Sequence, residues 1–312
     1  MKTAIIGYTG FVGSNIAQNM KFDDYYNSKN ILDIKDKEYD LLVCSGIRAE
    51  KYLANKYPER DLEEIKAFLK NLESLKRVGK IVFISTIDVY KNPIDVTEDT
   101  EIDENGLQPY GKNRFFAEKY IQDNFYDYLI IRLPGLFGKN LKKNFLYDMI
   151  TKIPTMVVKE KYLSILNKLE NKEKDIFINS YDRNIDNNYV YNNKNRIELI
   201  SILEKIGFTS INFTDSRSFF QFYNLNKLSK DIKVALEKKI KKLNISSEPI
   251  SAKVIAKEVF GYEMKNIIKE KLPLNYNFKS KYFELFDGKN GYLYSKEEII
   301  EDIKNFVKEM EK

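Results

Sequence analysis

Tyr110 and Arg114, four positions apart, combine a weak acid with a fixed positive charge. Residues four apart lie on one face of a helix, so the two would face the same way while Lys112 points elsewhere. A tyrosine that acts as a base must lose a proton whose pKa, about 10, lies roughly three units above working pH, a gap of about 4 kcal/mol. One positive charge about 4 Å away, in an effective dielectric near 20, contributes about as much. The spacing indicates a tyrosine base assisted by Arg114, although an ordinary amphipathic helix start has the same pattern.

A glycine-rich turn follows the apolar run at residues 3–6 and precedes a helical pattern that extends to about Met20. Its G-x-x-G-x-x-G spacing lets the chain turn tightly and lets backbone N–H groups approach a pyrophosphate, which the positive end of a helix stabilises. A purely structural strand-to-helix turn is the alternative. The expected cofactor-binding residues of this turn are Gly7, Tyr8, Thr9, Gly10, Phe11, Val12 and Gly13.

Thr86 ends the apolar run that begins at Lys80. If this run is a strand of a parallel sheet, the threonine hydroxyl lies at the carboxyl edge, where open α/β sheets bind ligands. Threonine is also common as a capping residue, so its position gains meaning only together with the glycine turn before it and Tyr110 after it.

Strand-like runs alternate with helical ones through the first half of the chain, which predicts a doubly wound α/β domain, the Rossmann arrangement, with a parallel sheet buried on both faces. The predicted strands are 2–7, 39–45, 80–86 and 128–133, and the predicted helices are 61–77 and 110–124. Between about Met156 and Ser216 the periodicity is weak, and the Asn-rich stretch 184–195 is typical of a solvated loop. A strand at 243–245 and a final amphipathic helix, 295–311, follow. We expect a Rossmann domain of residues 1–155, to which 217–246 return, and a smaller α+β substrate-binding lobe of 156–216 and 247–312.

The motifs resemble those of extended short-chain dehydrogenases/reductases of the NAD-dependent epimerase/dehydratase family, which act mostly on nucleotide sugars. The segment 5–13 resembles the cofactor loop of that family, 82–90 its strand with the catalytic Ser/Thr, and 109–111 its catalytic tyrosine. The segments 131–138 and 217–225 resemble the loop beside the nicotinamide and a later R-x-F-x-x-V-x-D-L motif.

By this resemblance, Thr86 would hydrogen-bond the reacting oxygen, Tyr110 would move its proton, and Arg114 would hold the nicotinamide ribose in place of a lysine. The same resemblance places Gly46, Arg48 and Pro134 at the cofactor. It places Asp88, Asn144 and Arg217 at the substrate, the last two on the diphosphate of a nucleotide sugar. Arginine suits that role because its planar fork grips phosphate in two bonds, although a surface salt bridge is the simpler explanation of Arg217.

Three departures from the family pattern qualify these expectations. Arginine replaces lysine at position 114, and a guanidinium does not relay protons. The Asp-Glu pair of the family's 4,6-dehydratases reads Ile87-Asp88, which argues for a reductase or epimerase. The acidic residue that would grip the ribose of NAD is not evident, and Ser28 with Lys29 suits a 2′-phosphate, which favours NADP over NAD.

The composition excludes several classes of chemistry. The 312 residues include no histidine, so neither a Ser-His-Asp mechanism nor a histidine-ligated metal is available, and we expect no metal. The single cysteine, Cys44, lies in an apolar run and fits a reducing compartment. The net charge of +6 is spread among acids and bases, so we expect no nucleic-acid partner. The sequence opens on a strand-like run and not on a signal-peptide pattern, and no apolar stretch approaches membrane-spanning length, so we expect no membrane partner and a cytoplasmic protein.

The sequence thus predicts an NAD(P)-dependent oxidoreductase or epimerase for a nucleotide-linked or phosphorylated sugar, with dimerisation through the helices 61–77 and 110–124 by analogy. A binding or sensor protein that keeps the cofactor site but has lost catalysis is the alternative, motivated by Arg114.

Overall fold

The strands and helices are given by a computed structural model that describes residues 1–270 and 272–310. The strands are β1 (Thr3–Ile6), β2 (Asp24–Tyr26), β3 (Glu38–Cys44), β4 (Arg77–Thr86), β5 (Tyr128–Leu133), β6 (Gly135–Phe137), β7 (Met156–Val157), β8 (Tyr181–Arg183), β9 (Tyr189–Tyr191), β10 (Phe219–Phe220), β11 (Phe222–Asn224), β12 (Lys242–Asn244) and β13 (Ile250–Ser251). The helices are α1 (Phe11–Asn19), α2 (Lys51–Lys56), α3 (Pro58–Glu73), α4 (Pro109–Asn124), α5 (Phe145–Thr151), α6 (Lys159–Leu166), α7 (Asn171–Asn179), α8 (Arg196–Lys205), α9 (Leu228–Glu237), α10 (Ala252–Phe260) and α11 (Lys296–Met310).

Six strands form a parallel sheet in the order β12-β5-β4-β3-β1-β2. The chain passes from β1 outward to β2 and then returns to the other side of β1 as β3. This reversal is a topological switch point, and the carboxyl ends of β1 and β3 flank it. Open α/β sheets bind ligands at such a point.

The sheet is buried on both faces because its strands are apolar on both sides. Ile5, Val43 and Val82 lie in one buried cluster with Ile16 of α1 and Ile232 of α9. Their strand neighbours point to the other face, where Ile6, Leu42 and Phe83 pack with Ile65 of α3 and Ile121 of α4. Helices therefore cover both faces, and the predicted doubly wound arrangement is confirmed.

Cys44, the last residue of β3, is 1 % exposed within the second of these clusters. Burial raises the pKa of its thiol far above the ordinary value. The residue acts as a small apolar side chain, as its apolar context predicts.

The predicted helix 61–77 is shifted in the structure. It runs over Pro58–Glu73, where proline occupies the first turn, a favourable position for a residue that lacks an N–H. The end of the predicted helix instead belongs to β4, because Arg77 and Val78 pair with Glu38 and Tyr39 of β3. The last helix ends at Met310 among the described residues, and the predicted end at Glu311 lies outside them.

The chain divides into two units at boundaries that differ from the expected ones. The first unit comprises Met1–Asn140, Phe219–Ile250 and Asn275–Lys312, and the second comprises Leu141–Ser218 and Ser251–Leu274. The C-terminal segment was expected in the smaller lobe but belongs to the first unit. Leu293 joins the core of the parallel sheet, and Phe306 of α11 packs on Phe137 with ring centroids 5.6 Å apart.

The second unit has its own core and a three-stranded antiparallel sheet in the order β7-β9-β8. Its mixture of helices and strands agrees with the predicted α+β composition. The Asn-rich stretch 184–195 is not a simple loop, because β9 lies inside it. Tyr189 stacks on Tyr162 with ring centroids 3.5 Å apart, which gives this polar segment an apolar anchor.

Candidate functional site

The glycine turn between β1 and α1 has no room for a side chain at Gly7 or Gly13. Gly7 has φ +88°, and a Cβ there would lie 2.6 Å from the carbonyl oxygen of Ser45. A Cβ on Gly13 would lie 2.1 Å from the carbonyl oxygen of Gly7. Both distances are shorter than any real Cβ contact, so α1 packs against the turn at backbone distance. This cradle fits a pyrophosphate group, since it brings the N-terminus of a nine-residue helix next to backbone without side chains.

The turn that follows β2 carries Ser28 and Lys29, both exposed. The two preceding acids are already held by the fold. Asp23 accepts a hydrogen bond from the N–H of Thr3 at 2.7 Å, and Asp24 accepts one from the Tyr39 hydroxyl at 2.6 Å. Both acids lie at the start of β2, whereas the turn after its carboxyl end carries the exposed hydroxyl and ammonium, which suit a phosphate.

The loops after β3 and β5 carry the other expected cofactor residues. Gly46 is exposed, and a Cβ there would lie 2.7 Å from the ring of Phe68. The backbone carbonyl of Arg48 accepts a hydrogen bond from Arg114, while its own guanidinium lies 3.9 Å from Glu64. Pro134 directly follows β5 at the carboxyl edge of the sheet.

Thr86 and Tyr110 both lie at this edge. Thr86 is the last residue of β4, Tyr110 lies in the first turn of α4, and the Thr86 hydroxyl acts to lower the pKa of the Tyr110 phenol. Asn55 fixes the start of α4 by accepting the backbone N–H of Tyr110 at 2.9 Å. The phenol is therefore held by its helix beside the end of a central strand.

Arg114 lies on the same face of α4 as Tyr110, and Lys112 is exposed on another, as the spacing predicts. The guanidinium carbon of Arg114 is 4.5 Å from the centroid of the Tyr110 ring. The guanidinium is not free: it donates to both carboxylate oxygens of Asp61, at 2.8 and 3.0 Å, and to the carbonyl of Arg48. The side chains of Arg114 and Asp61 are 5 % and 13 % exposed, so this is a buried, two-pronged ion pair.

The expected lowering of the Tyr110 pKa is not what the protein shows. Burial raises the pKa of Tyr110 and outweighs the opposing effect of Arg114; Asp88 raises it further, while the Thr86 hydroxyl and Lys51 lower it. The spacing of Tyr110 and Arg114 reveals the charge of the guanidinium but not the cost of removing the phenol from water.

Asp88 lies two residues after Thr86 and forms a small polar cluster. Its Oδ1 accepts hydrogen bonds from the ammonium of Lys51 at 2.9 Å and from the hydroxyl of Tyr276 at 3.3 Å. Burial works to lower the pKa of Lys51, but the charges of Asp88 and Tyr276 outweigh it and raise that pKa. The carboxylate is thus neutralised by a lysine of α2.

Asn144 and Arg217 belong to the second unit. Asn144 caps α5, where its Oδ1 accepts the N–H of Tyr147 at 3.1 Å. Arg217 donates from Nε and Nη2 to Asp215 at 2.9 and 2.8 Å, and its side chain is 51 % exposed. The salt bridge considered from the sequence is present, and it lies within a single turn of chain.

Asp61, Lys51 and Tyr276 were not among the predicted site residues. Asp61 and Lys51 follow the Gly46 loop, so proximity in sequence to a predicted cofactor residue was a usable signal. Tyr276 lies far from any motif in the sequence. It reaches Asp88 from a segment in which the preceding residue, Asn275, pairs with Phe219. Nothing in its sequence context indicates the contact with Asp88.

Residues 1–270 and 272–310 contain no group of three or more acidic, cysteine or histidine side chains that could hold a metal. Within the same ranges, no helix has both the length and the apolar character needed to cross a membrane.

No family model matches this sequence, and no curated protein does. Solved structures do match. A dTDP-4-dehydrorhamnose reductase from Clostridium acetobutylicum is 14 % identical with a TM-score of 0.59, covering 100 % of both chains. The same enzyme from Bacillus anthracis, in complex with NADP, is 14 % identical with a TM-score of 0.59, covering 99 % of each chain.

A UDP-N-acetylglucosamine 4-epimerase from Methanobrevibacter ruminantium, in complex with UDP-N-acetylmuramic acid, is 13 % identical with a TM-score of 0.61. The match covers 98 % of this chain and 97 % of that one. At such identities the likeness establishes the fold. The fold implied by the sequence motifs is therefore confirmed: this chain folds as these nucleotide-sugar reductases and epimerases do.

Proposed function

We propose that this protein is an NAD(P)-dependent reductase or epimerase that acts on a nucleotide-linked sugar. The observation that carries the proposal is the placement of Thr86 at the end of β4 and of Tyr110, with Arg114 over its ring, in the first turns of α4 at the carboxyl edge of a parallel sheet. The glycine cradle at the switch point of the same sheet and the solved structures of similar fold support it.

The cofactor would be held by three parts of the first unit. The cradle of Gly7 and Gly13 with the N-terminus of α1 suits the pyrophosphate, while Ser28 and Lys29 suit a 2′-phosphate. The loops at Gly46 and Pro134 line the same edge of the sheet. Bound NADP would supply a hydride acceptor or donor. NADP is favoured because the acids Asp23 and Asp24 lie at the start of β2 and not at its carboxyl end, and because a structure of this fold binds NADP.

The proton chemistry belongs to Tyr110 and Thr86. The Thr86 hydroxyl would hold the reacting sugar oxygen, and Tyr110 would take or give its proton while the hydride moves. Arg114 contributes a positive charge at the ring, and its bond to Asp61 fixes where that charge lies. Position 87 is isoleucine, so the chain offers no acid there for eliminating water, which favours reduction or epimerisation over dehydration.

The second unit would bind the nucleotide part of the substrate. Arg217 is half-exposed and charged, and Asn144 lies at the start of α5. Both are proposed to contact the diphosphate. We further propose that the protein is cytoplasmic and that it forms a dimer through α3 and α4.

Binding and hydride transfer test the proposal directly. Calorimetry should show NADPH binding, with weaker binding of NADH. Incubation with NADPH and dTDP-4-dehydrorhamnose, or with UDP-N-acetylglucosamine and catalytic NAD(P), should yield a reduced or epimerised sugar nucleotide. Tyr110→Phe should retain NADPH affinity and lose turnover by about a hundredfold or more, since it removes the acid–base group alone. Tyr52→Phe, an exposed tyrosine of α2, is the matched control. Absence of NADPH and NADH binding would refute the proposal.

The buried pair of Arg114 and Asp61 favours a second candidate, a sensor that binds NAD(P) without turning it over. Two of the three guanidinium nitrogens are committed to protein acceptors, which leaves little for a ribose. A native protein that binds NADPH but transfers no hydride, together with an Arg114→Lys variant that does, would favour the sensor. Turnover by the native chain would exclude it.

A further inference from the structure

Two carboxylates lie close to Tyr110, and each is matched by one cation. Asp61 pairs with Arg114, whose guanidinium lies over the phenol ring. Asp88 pairs with Lys51 at 2.9 Å. The two pairs come from different elements, so the charge around the phenol depends on contacts that the Tyr110–Arg114 spacing does not reveal.

Asp88 is the carboxylate that opposes loss of the Tyr110 proton. It follows Thr86 by two residues, its N–H donates to the Thr86 hydroxyl at 3.2 Å, and its side chain is 22 % exposed. Its backbone lies against the first turn of α4, where a Cβ on Gly111, the residue after Tyr110, would lie 2.0 Å from the carbonyl oxygen of Asp88. A negative charge at this position disfavours a phenolate at Tyr110. Asp88 and Lys51 both act on the Tyr110 pKa, the first raising it and the second lowering it.

We propose that Lys51 is a positioning residue that neutralises Asp88 beside Tyr110 and thereby permits the phenol to give up its proton. Tyr276 assists by donating a second hydrogen bond to the same oxygen, Oδ1. The inference rests on the proposed role of Tyr110 as the acid–base group. It adds a residue from α2 to a proton-transfer site that otherwise consists of the end of β4 and the start of α4.

The location of Lys51 supports this role over that of an ordinary surface lysine. Its side chain is 47 % exposed, yet its ammonium reaches a carboxylate 37 positions away, which also accepts a hydrogen bond from Tyr276. Lys56, on the same short helix, is exposed and lies over the ring of its neighbour Tyr57 instead. Lys56 thus provides a matched control.

The test is a titration of Tyr110 itself. Tyrosines labelled with ¹³C at Cζ are followed by NMR, with and without NADP⁺, from pH 6 up to the alkaline limit at which each variant stays folded, and the pH at which the Tyr110 signal begins to shift is compared between variants. That signal is identified as the one missing from Tyr110→Phe. In Lys51→Met the pKa of Tyr110 should rise by about one unit, and in Asp88→Asn it should fall by a similar amount. The double variant should titrate near the native protein, because both charges are gone. Lys56→Met should leave the titration unchanged.

Kinetics provide the second measurement. If the native protein oxidises a nucleotide sugar with NADP⁺, Lys51→Met should lower kcat at neutral pH by about tenfold, with the loss regained as the pH profile shifts to higher pH. Lys51→Arg should stay close to native, since it keeps the charge.

An unchanged Tyr110 titration in Lys51→Met, or a double variant that behaves like the single one, would overturn this inference and leave the proposed function standing. Failure to bind NADP⁺ would instead refute the proposed function, while the titration without cofactor would still decide the role of Lys51.

Discussion

Arg132 and Glu118 form an ion pair with both side chains at or below 1 % exposure, and Arg132 Nη2 lies 2.6 Å from Glu118 Oε2. Ser85 donates to Glu118 at 2.5 Å and Arg132 donates to Tyr90 at 2.6 Å, so both charges are also hydrogen-bonded. This network links α4 to β4 and β5 at Ser85, the residue before Thr86. The carboxyl edge of the sheet is thus supported by buried polar groups.

Glu118→Ala should destabilise the protein strongly because it leaves the Arg132 charge buried without a partner. We expect a loss of about 3–5 kcal/mol in the free energy of unfolding, measured by urea denaturation. Lys66→Ala removes an exposed ion pair with Glu63 on α3 and should cost less than about 1 kcal/mol. Similar losses in the two variants would show that the buried pair has no special structural weight.

Gly13→Ala should impair the glycine cradle, because the added Cβ meets the carbonyl oxygen of Gly7 at 2.1 Å. The turn must move, and we expect NADPH affinity to fall by at least about tenfold, or 1.4 kcal/mol, by calorimetry. Gly10→Ala is the matched control, since its Cβ would lie 3.3 Å from the same oxygen and its φ is an ordinary −76°. Equal affinities in both variants would contradict a cofactor site at the cradle.

Asp148 of α5 makes the stability of the second unit dependent on pH. Burial raises the pKa of its carboxyl to about 7. Because this folded-state pKa lies above the unfolded value of about 3.9, the folded protein binds the extra proton. The associated stability is complete below pH 4 and is lost as pH rises towards and through 7.

Asp148→Asn removes this ionisable group. The change that it causes in the free energy of unfolding should therefore be more favourable at pH 8 than at pH 4 by a few kcal/mol, as measured by urea denaturation at both pH values. Asp175→Asn, on the exposed side of α7 in the same unit, is the control. In this variant the free energy of unfolding should differ between pH 4 and pH 8 by as much as it does in the native protein. If the stability of Asp148→Asn depended on pH as that of the native protein does, other groups would be the cause of the pH dependence.

The sequence predicts best where the structure is local. Apolar runs located five of the six strands of the parallel sheet within a few residues but did not indicate the three-residue strand β2. The four-residue spacing placed Tyr110 and Arg114 on one face of α4. Pairing across the sheet was less predictable: β4 begins at Arg77 because its neighbour β3 offers partners there, and this overrides a helical pattern. The C-terminal segment from residue 275 onward belongs to the first unit for the same reason, since Leu293 is buried by contacts with distant strands.

The sequence motifs did not predict which charged side chains of the site pair with one another. Arg114 was evident, but its neutralisation by Asp61 depends on how α3 packs beside α4. The pairing of Lys51 and Tyr276 with Asp88 joins three separate segments. The direction of the Tyr110 pKa follows from this packing and from burial, neither of which is encoded in residue spacing.

The sealed position of Cys44 makes the protein a convenient background for spectroscopy. Its thiol is the only one in the chain and is inaccessible to maleimide reagents while the sheet is intact. A cysteine introduced at an exposed position outside the proposed cofactor site, such as Lys66, would react alone. A dye attached there would be a single, site-specific optical label in a protein that has no tryptophan of its own.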